Sequence, residues 1–132
     1  MTDVALLTLT ILHAAGVAAY AALPDGVSRP VLRIEEAGGG PLPNSAQPIR
    51  LIRQDLQLTA WADTKQAALT LLTAAYQSLH SSILDGRNVT TAGTLIRVET
   101  LGGVLYLPDP DWPVSGQPGP RYELTVRLTA HD

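Results

Sequence analysis

Cysteine is absent from this 132-residue chain, which excludes a disulfide scaffold, a thiol nucleophile, iron–sulfur ligation and cysteine-based zinc sites. Phenylalanine is absent too, and aromatics make up only 5%, so the core must be aliphatic. Lysine occurs once, at Lys65; the other eight cations are arginine, and twelve acidic residues set the formal charge at −3. That balance is too acidic for a protein whose whole surface grips nucleic acid, and leaves room only for a local basic patch. Catalytic signatures are scarce as well. There is no G-x-S-x-G, H-E-x-x-H or P-loop. Gly38-Gly39-Gly40 lacks the Lys-Ser/Thr and helix start that a phosphate cradle needs. His13, His80 and His131 each lack a second ligand at metal spacing. Asp109 and Asp111 supply two carboxylates, where calcium takes about six or more oxygens. Glu35 and Glu36 would point to opposite faces of a strand and so form no acid–base pair. Asn88-Val89-Thr90 is a glycosylation sequon only if the chain is secreted. These absences lead to the expectation of a non-enzymatic protein with no cofactor and no metal.

What is present suits one folded domain over 1–132, within the ~100–200 residues typical of a domain. Hydrophobic residues make up 45% of the chain, enough to bury a sizeable core. From Val4 to Leu23 runs a stretch of twenty residues without a charged side chain, long enough to span a bilayer. Ala19-Tyr20-Ala21 also resembles a small-x-small cleavage site. Against a membrane role stand Thr8, Thr10, His13 and Gly16 inside the run, its alanine-rich second half, and flanks without Lys or Arg. The expectation is a soluble amphipathic helix striped by Val4, Leu7, Ile11, Ala14, Ala18 and Ala22. Asp3 would cap it and Pro24-Asp25-Gly26 would end it.

Pro30 to Glu35 then reads as a short strand, followed by a Gly/Pro-rich loop over 37–48. Ile49 to Trp61 reads as a long strand. Its even positions from Ile52 to Ala60 form the inward face and its odd positions, Arg53 to Trp61, the outward one. Ile49 and Leu51 fall on the wrong parity, which predicts a bulge or a partner near that end. Asp63, with Gln66 three residues on, resembles a capping box that opens a helix. The helix would bury Ala68, Leu71, Leu72, Ala75, Leu79 and Ile83 and stop at Asp85-Gly86. Thr94 to Glu99 alternates, and Tyr122 to Ala130 alternates without a fault. The order α-β-β-α-β-β predicts an α+β domain: a mainly antiparallel sheet with two helices packed on one face and charge on the other.

Between the last two strands, residues 102–120 hold four glycines and five prolines around Tyr106 and Trp112. So long an unstructured loop is uncommon in a compact domain unless it is functional. The expectation is an extended arm whose aromatics dock on a neighbour, with prolines lowering the entropy cost of ordering it. Six of the eight arginines fall in or beside strands with carboxylates interleaved. Arg53 with Asp55, Arg97 with Glu99, and Arg121 with Glu123 lie two residues apart on one strand face. Arg127 completes the set. Arginine's planar fork suits interfaces, so Arg53, Asp55, Arg97, Glu99, Tyr106, Trp112, Arg121, Glu123 and Arg127 are the candidate subunit-interface residues. The outward arginines would then pair with carboxylates of an adjacent subunit.

The strand Leu56-Gln57-Leu58-Thr59-Ala60-Trp61-Ala62-Asp63, turning into a helix with Ala67, Ala68, Leu71 and Leu72, resembles tail terminator proteins of long-tailed bacteriophages. The amphipathic helix ahead of the first strand and the closing strand Arg121 to Leu128 extend the resemblance over the whole chain. The arginine-over-lysine bias and alanine content suit a phage of a high-GC, actinobacterial-type host. The resemblance implies a structural virion protein that assembles in the host cytoplasm as a homo-oligomeric ring, typically a hexamer. Such a ring sits at the head-proximal end of the tail, caps the tail tube, ends its polymerisation and joins the tail to the head connector. Its partners would be itself, the tail tube protein and a head–tail connector or neck protein. DNA would pass through the channel without specific binding, and no membrane is involved. A chain of this size has a radius of gyration near 14 Å by scaling, roughly, so only a cyclic oligomer can surround a DNA-wide channel. Three alternatives remain open: another neck component such as a stopper or completion protein, a small ligand- or peptide-binding α+β module, and an anchored or exported protein. The segment 102–120 is longer than in the shortest members of that family.

Overall fold

The computed structural model describes residues 3–41 and 51–132. Along the chain run α1 (Val4–Ala14), β1 (Ala19–Tyr20), β2 (Val31–Pro41), β3 (Leu51–Trp61), α2 (Lys65–Asp85) and β4 (Val89–Thr90). After them come β5 (Gly93–Tyr106), β6 (Asp109–Val114), β7 (Gln117–Gly119) and β8 (Arg121–His131). The fold is α+β. One sheet has the order β1-β2-β3-β8-β5-β4, antiparallel except for β1 beside β2, and β6-β7 form a separate hairpin. Both helices pack on one face of the large sheet, as expected. The strand with the cleanest alternation, β8, takes a central place, paired without a break from Leu51↔His131 to Trp61↔Arg121 on one side and with β5 on the other.

Asp3 caps α1 as expected, its Oδ1 accepting from the Leu6 amide at 3.1 Å. The helix ends at Ala14 and does not run on to Leu23. Gly16 adopts a φ of +81°. Its N–H donates to the His13 carbonyl and that of Val17 to the Leu12 carbonyl, both at 3.0 Å. This pair of bonds is a Schellman motif, which satisfies the last carbonyls of the helix. Ala14, Ala18 and Ala22 of the expected stripe are exposed, and Ala19–Tyr20 lie alongside β2 as a short parallel strand.

Thr64 caps α2 in place of Asp63, its hydroxyl accepting from the Ala67 amide at 3.1 Å. Asp63 is drawn away to the guanidinium of Arg29 at 3.0 Å. The helix buries Ala68, Leu72, Ala75, Leu79 and Ser82, with Leu71 and Ile83 partly covered, and Gly86 ends it in the left-handed region. Strand β2 continues through Gly38–Pro41, where a loop is expected. Gly39 makes this possible. Its φ is +103°, and a Cβ there would collide with the Arg53 carbonyl of β3. Residues 42–48 of the expected loop, and Ile49 and Arg50 of the expected strand, lie outside the described residues. The bulge or partner expected around Ile49 and Leu51 thus falls in part outside the described residues; from Leu51 onward β3 pairs with β8 without a shift, and β2 carries a shift between Glu36 and Gly38.

The core is the layer between helices and sheet. Leu7, Ile11 and Leu12 of α1 and Leu72 and Leu79 of α2 meet Leu56, Leu58, Val126 and Leu128, all at 1% exposure or less. Each such aliphatic side chain contributes about 1.5–3 kcal/mol when fully buried. The buried hydroxyls of Thr8 and Ser82 are satisfied locally by the carbonyls of Val4 and Leu79. Val31 and Trp61 are also buried, yet they lie outside this cluster, because their side chains leave the opposite face of the sheet.

Candidate functional site

The face of the sheet away from the helices carries the candidate residues. Along β3 and β8 the outward side chains come level in cross-strand pairs, and register decides which charges meet. Asp55 stands directly opposite Arg127. The guanidinium grips the carboxylate with two bonds, Nε to Oδ1 at 2.8 Å and Nη2 to Oδ2 at 3.1 Å. These hydrogen bonds, with the charge of Arg127 and that of Arg53 behind them, hold the Asp55 carboxyl below its ordinary range despite some desolvation. The same bonds raise Arg127. Gln57 donates to Glu123 at 3.0 Å. Arg97 pairs with Glu99 at 3.3 Å, and Arg33 with Glu35 at 2.6 Å.

Of the three Arg–carboxylate neighbours at two-residue spacing, only Arg97 and Glu99 form an ion pair with each other. Asp55 belongs to Arg127 rather than Arg53, and Glu123 to Gln57 rather than Arg121. Register decides the outcome: Asp55 stands directly opposite Arg127, and neighbours across a strand pair are about 5 Å apart, while Gln57 reaches Glu123 on the diagonal. Carboxylates expected from an adjacent subunit are thus supplied to Arg97, Arg121 and Arg127 from within the chain. Arg53 is exposed and makes no ion pair among the described residues.

At the end of the sheet where β3 finishes, the segment expected as an extended arm is folded back on its own chain. β6 and β7 form a hairpin whose two-residue turn, Ser115-Gly116, has φ of +50° and +79°, the positive pair that a type I′ turn requires. Prolines are tolerated because neither strand is inside the large sheet. Gly119 lets the hairpin close, since a Cβ there would strike the Trp112 carbonyl. Trp112 packs 6.0 Å from Trp61, ring centroid to centroid. Trp61 Nε1 donates to Asp109 Oδ2 at 2.8 Å. Asp109 also accepts from the Asp111 amide at 2.9 Å and lies 3.5 Å from Arg121, whose Nε donates to the Leu107 carbonyl. Arg29 lies 4.7 Å over Trp112, and Arg33 lies 5.0 Å over Trp61. Nη1 of Arg29 and Nε of Arg33 find no hydrogen-bond acceptor among the described residues, and each guanidinium lies over an indole face, a favourable place for a cation. Tyr106 stacks on Tyr122 at 4.9 Å, with the Lys65 ammonium 4.6 Å over its ring.

Trp61, Asp109, Arg29 and Arg33 are members of this corner that spacing does not single out. One signal points to it: Trp61 falls on the polar parity of β3, and a tryptophan there needs a cover. The histidines sit apart from one another. His13 meets the Ala19 carbonyl, His80 the Tyr76 hydroxyl and His131 the Asp132 carbonyl, each at 2.7 Å. Among the described residues no group of three His, Asp or Glu side chains is placed to hold a metal ion, and no helix is long and apolar enough to cross a membrane.

Both margins of the large sheet are largely open. β1 covers β2 only at Leu32 and Arg33. β4 covers β5 only at Gly93 and Thr94, with Asn88 bonded to both backbone groups of Leu95. From Ile34 to Pro41, and from Ile96 to Tyr106, no strand of the described residues pairs on the outer side. Ile96, Val104, Leu105 and Tyr106 are exposed along the second margin.

No protein-family model matches the chain, and no curated protein matches it. Among solved structures, the chain is similar to one from the virion of a native gene transfer agent particle. The two are 17% identical with a TM-score of 0.45, over 92% of this chain and 84% of that one. It is a loose likeness in the course of the backbone.

Proposed function

We propose that this chain is a non-catalytic structural subunit of a phage-type virion, of the tail terminator kind. Copies of it close into a ring, a hexamer, at the head-proximal end of the tail. The ring caps the tail tube, stops its growth and presents a surface to the head connector, while DNA passes through without specific binding. The observation that carries this reading is the pair of open margins on opposite sides of one sheet. Unpaired strand edges are a liability in a monomer, whereas two different edges on one subunit are what a head-to-tail, closed assembly uses. The polar face adds support, because its cations are mostly matched by carboxylates of the same chain. A surface neutralised in that way offers a polyanion few free contacts.

Sedimentation velocity with negative-stain microscopy tests the reading. The expected result is a species near six times the 14.0 kDa protomer mass, seen as rings with an open centre. A monomer at tens of micromolar, the weak end of subunit association, would overturn it.

A further inference from the structure

Resting on that ring reading, we infer that the open margin of β5 receives the open margin of β2 from a second copy, so that the sheet continues from subunit to subunit. β2 and β5 run in opposite directions, being separated by β3 and β8 in an antiparallel series. Their short covers, β1 and β4, therefore sit at opposite ends of the sheet. The uncovered stretches match in length: Ile34–Pro41 is eight residues, and Arg97 to Tyr106 spans the eight β8 positions from Thr129 to Tyr122.

Laid antiparallel with Ile34 level with Tyr106, the two stretches also match in their defects. β2 is irregular between Glu36 and Gly38, and β5 is irregular between Leu101 and Leu105, at Gly102-Gly103. Counted from that end, both breaks come after the second or third rung. The side-chain-poor Gly38-Gly39 of one copy then lies beside the bulge of the other, where close backbone approach is needed. The register keeps the faces continuous, with Ile34 and Tyr106 both on the helix side and Glu35 and Leu105 both on the polar side.

Charge favours the same pairing. Lys65, stacked on Tyr106, makes no ion pair among the described residues, and neither does the exposed Glu36. In this register Glu36 of one copy falls on the helix side, two rungs from the Tyr106 that Lys65 covers. A two-fold pairing of β2 with β2 would instead gather Glu35 and Glu36 from both copies, and like charges across a strand pair are unfavourable.

The chain has no cysteine of its own, so introduced pairs read out cleanly. Glu35→Cys with Leu105→Cys places two exposed positions at one rung, within the span of about 4.4–6.8 Å that a disulfide bridges between Cα atoms. Oxidising the double variant is expected to give covalent multimers up to ring size on a denaturing gel, with neither single variant doing so. A ring by sedimentation without that ladder overturns the β2–β5 pairing and leaves the ring reading standing. Covalent dimers of Glu35→Cys alone overturn it in favour of β2 with β2, and a monomer overturns both. An independent test uses charge exchange, which disturbs the protomer little, because α2 has no acidic residue in its first turn and its N-terminus favours one. Glu36→Lys and Lys65→Glu are each expected to weaken assembly about fivefold or more, and together to restore it. Equal loss in the double exchange overturns the pairing.

Discussion

Replacing Asp109 with alanine should loosen the aromatic corner and leave the core intact. Asp109 is 8% exposed, and its partner Trp61 is 3% exposed. A hydrogen bond to a charged acceptor contributes about 1.5–3 kcal/mol, and a buried donor left without an acceptor costs about 1–3 kcal/mol. These describe one bond from two sides and do not add. Arg121 keeps its bond to the Leu107 carbonyl at 2.7 Å, which limits the collateral loss. The expected destabilisation is therefore about 2–3 kcal/mol, equivalent to a midpoint shift of roughly 1 M urea or more for a domain of this size. Urea unfolding followed by tryptophan emission reads it directly, because Trp61 and Trp112 are the two tryptophans of the chain. Asp109→Asn, which retains an acceptor but loses the charge, should fall in between. The decisive control is Trp61→Phe, which removes the donor and keeps a ring. If Asp109→Ala costs as much in that background as in the parent, the Trp61–Asp109 bond is not what holds the hairpin.

Gly119→Ala should cost about 1–3 kcal/mol through overpacking against the Trp112 carbonyl and shift tryptophan emission. Gly16→Ala meets open space and should cost about 1–2 kcal/mol from left-handed strain alone, with emission unchanged; thermal melts with fluorescence separate the two. Asp55 is held below its unfolded value by Arg127, so its contribution is full above the unfolded carboxylate range near 4. That contribution is lost as pH falls through the folded value. Urea midpoints from pH 6 downward should decline more steeply in the parent than in Asp55→Asn, and parallel curves would rule the linkage out.

The parts of the fold legible in the sequence are those fixed by local periodicity. β8 alternates without interruption, and α2 repeats its apolar positions at helical spacing between Thr64 and Gly86, so both stand close to where they were expected. α1 is harder to bound, because an alanine-rich run favours helix while a single Gly16 ends it, and nothing local weighs a Schellman bond against the six alanines from Ala14 to Ala22. The proline-rich segment hid a hairpin, since its fixing elements are a positive-φ Ser115-Gly116 turn and a tryptophan 51 positions away in β3. The polar face shows the same limit. Which arginine meets Asp55 depends on the β3–β8 register, and that register is set by the turns and bulges of the whole sheet rather than by spacing along one strand.

The central position of β8 carries a kinetic consequence. β2 with β3 and β5 with β8 are pairings of moderate sequence separation, but the ladder of β8 with β3 joins residues 121–131 to the far earlier segment 51–61. Until β8 inserts, β3 and β5 are two separate edges, Asp55 lacks its Arg127 partner, and the helices have only part of a floor to rest on. Insertion closes both ladders and completes the hydrophobic layer in one event, so folding should show a single slow exponential, governed by loop closure over the β3-to-β8 span. Substitutions in β8, such as Val126→Ala, should then slow refolding, whereas substitutions in α1 should mainly speed unfolding.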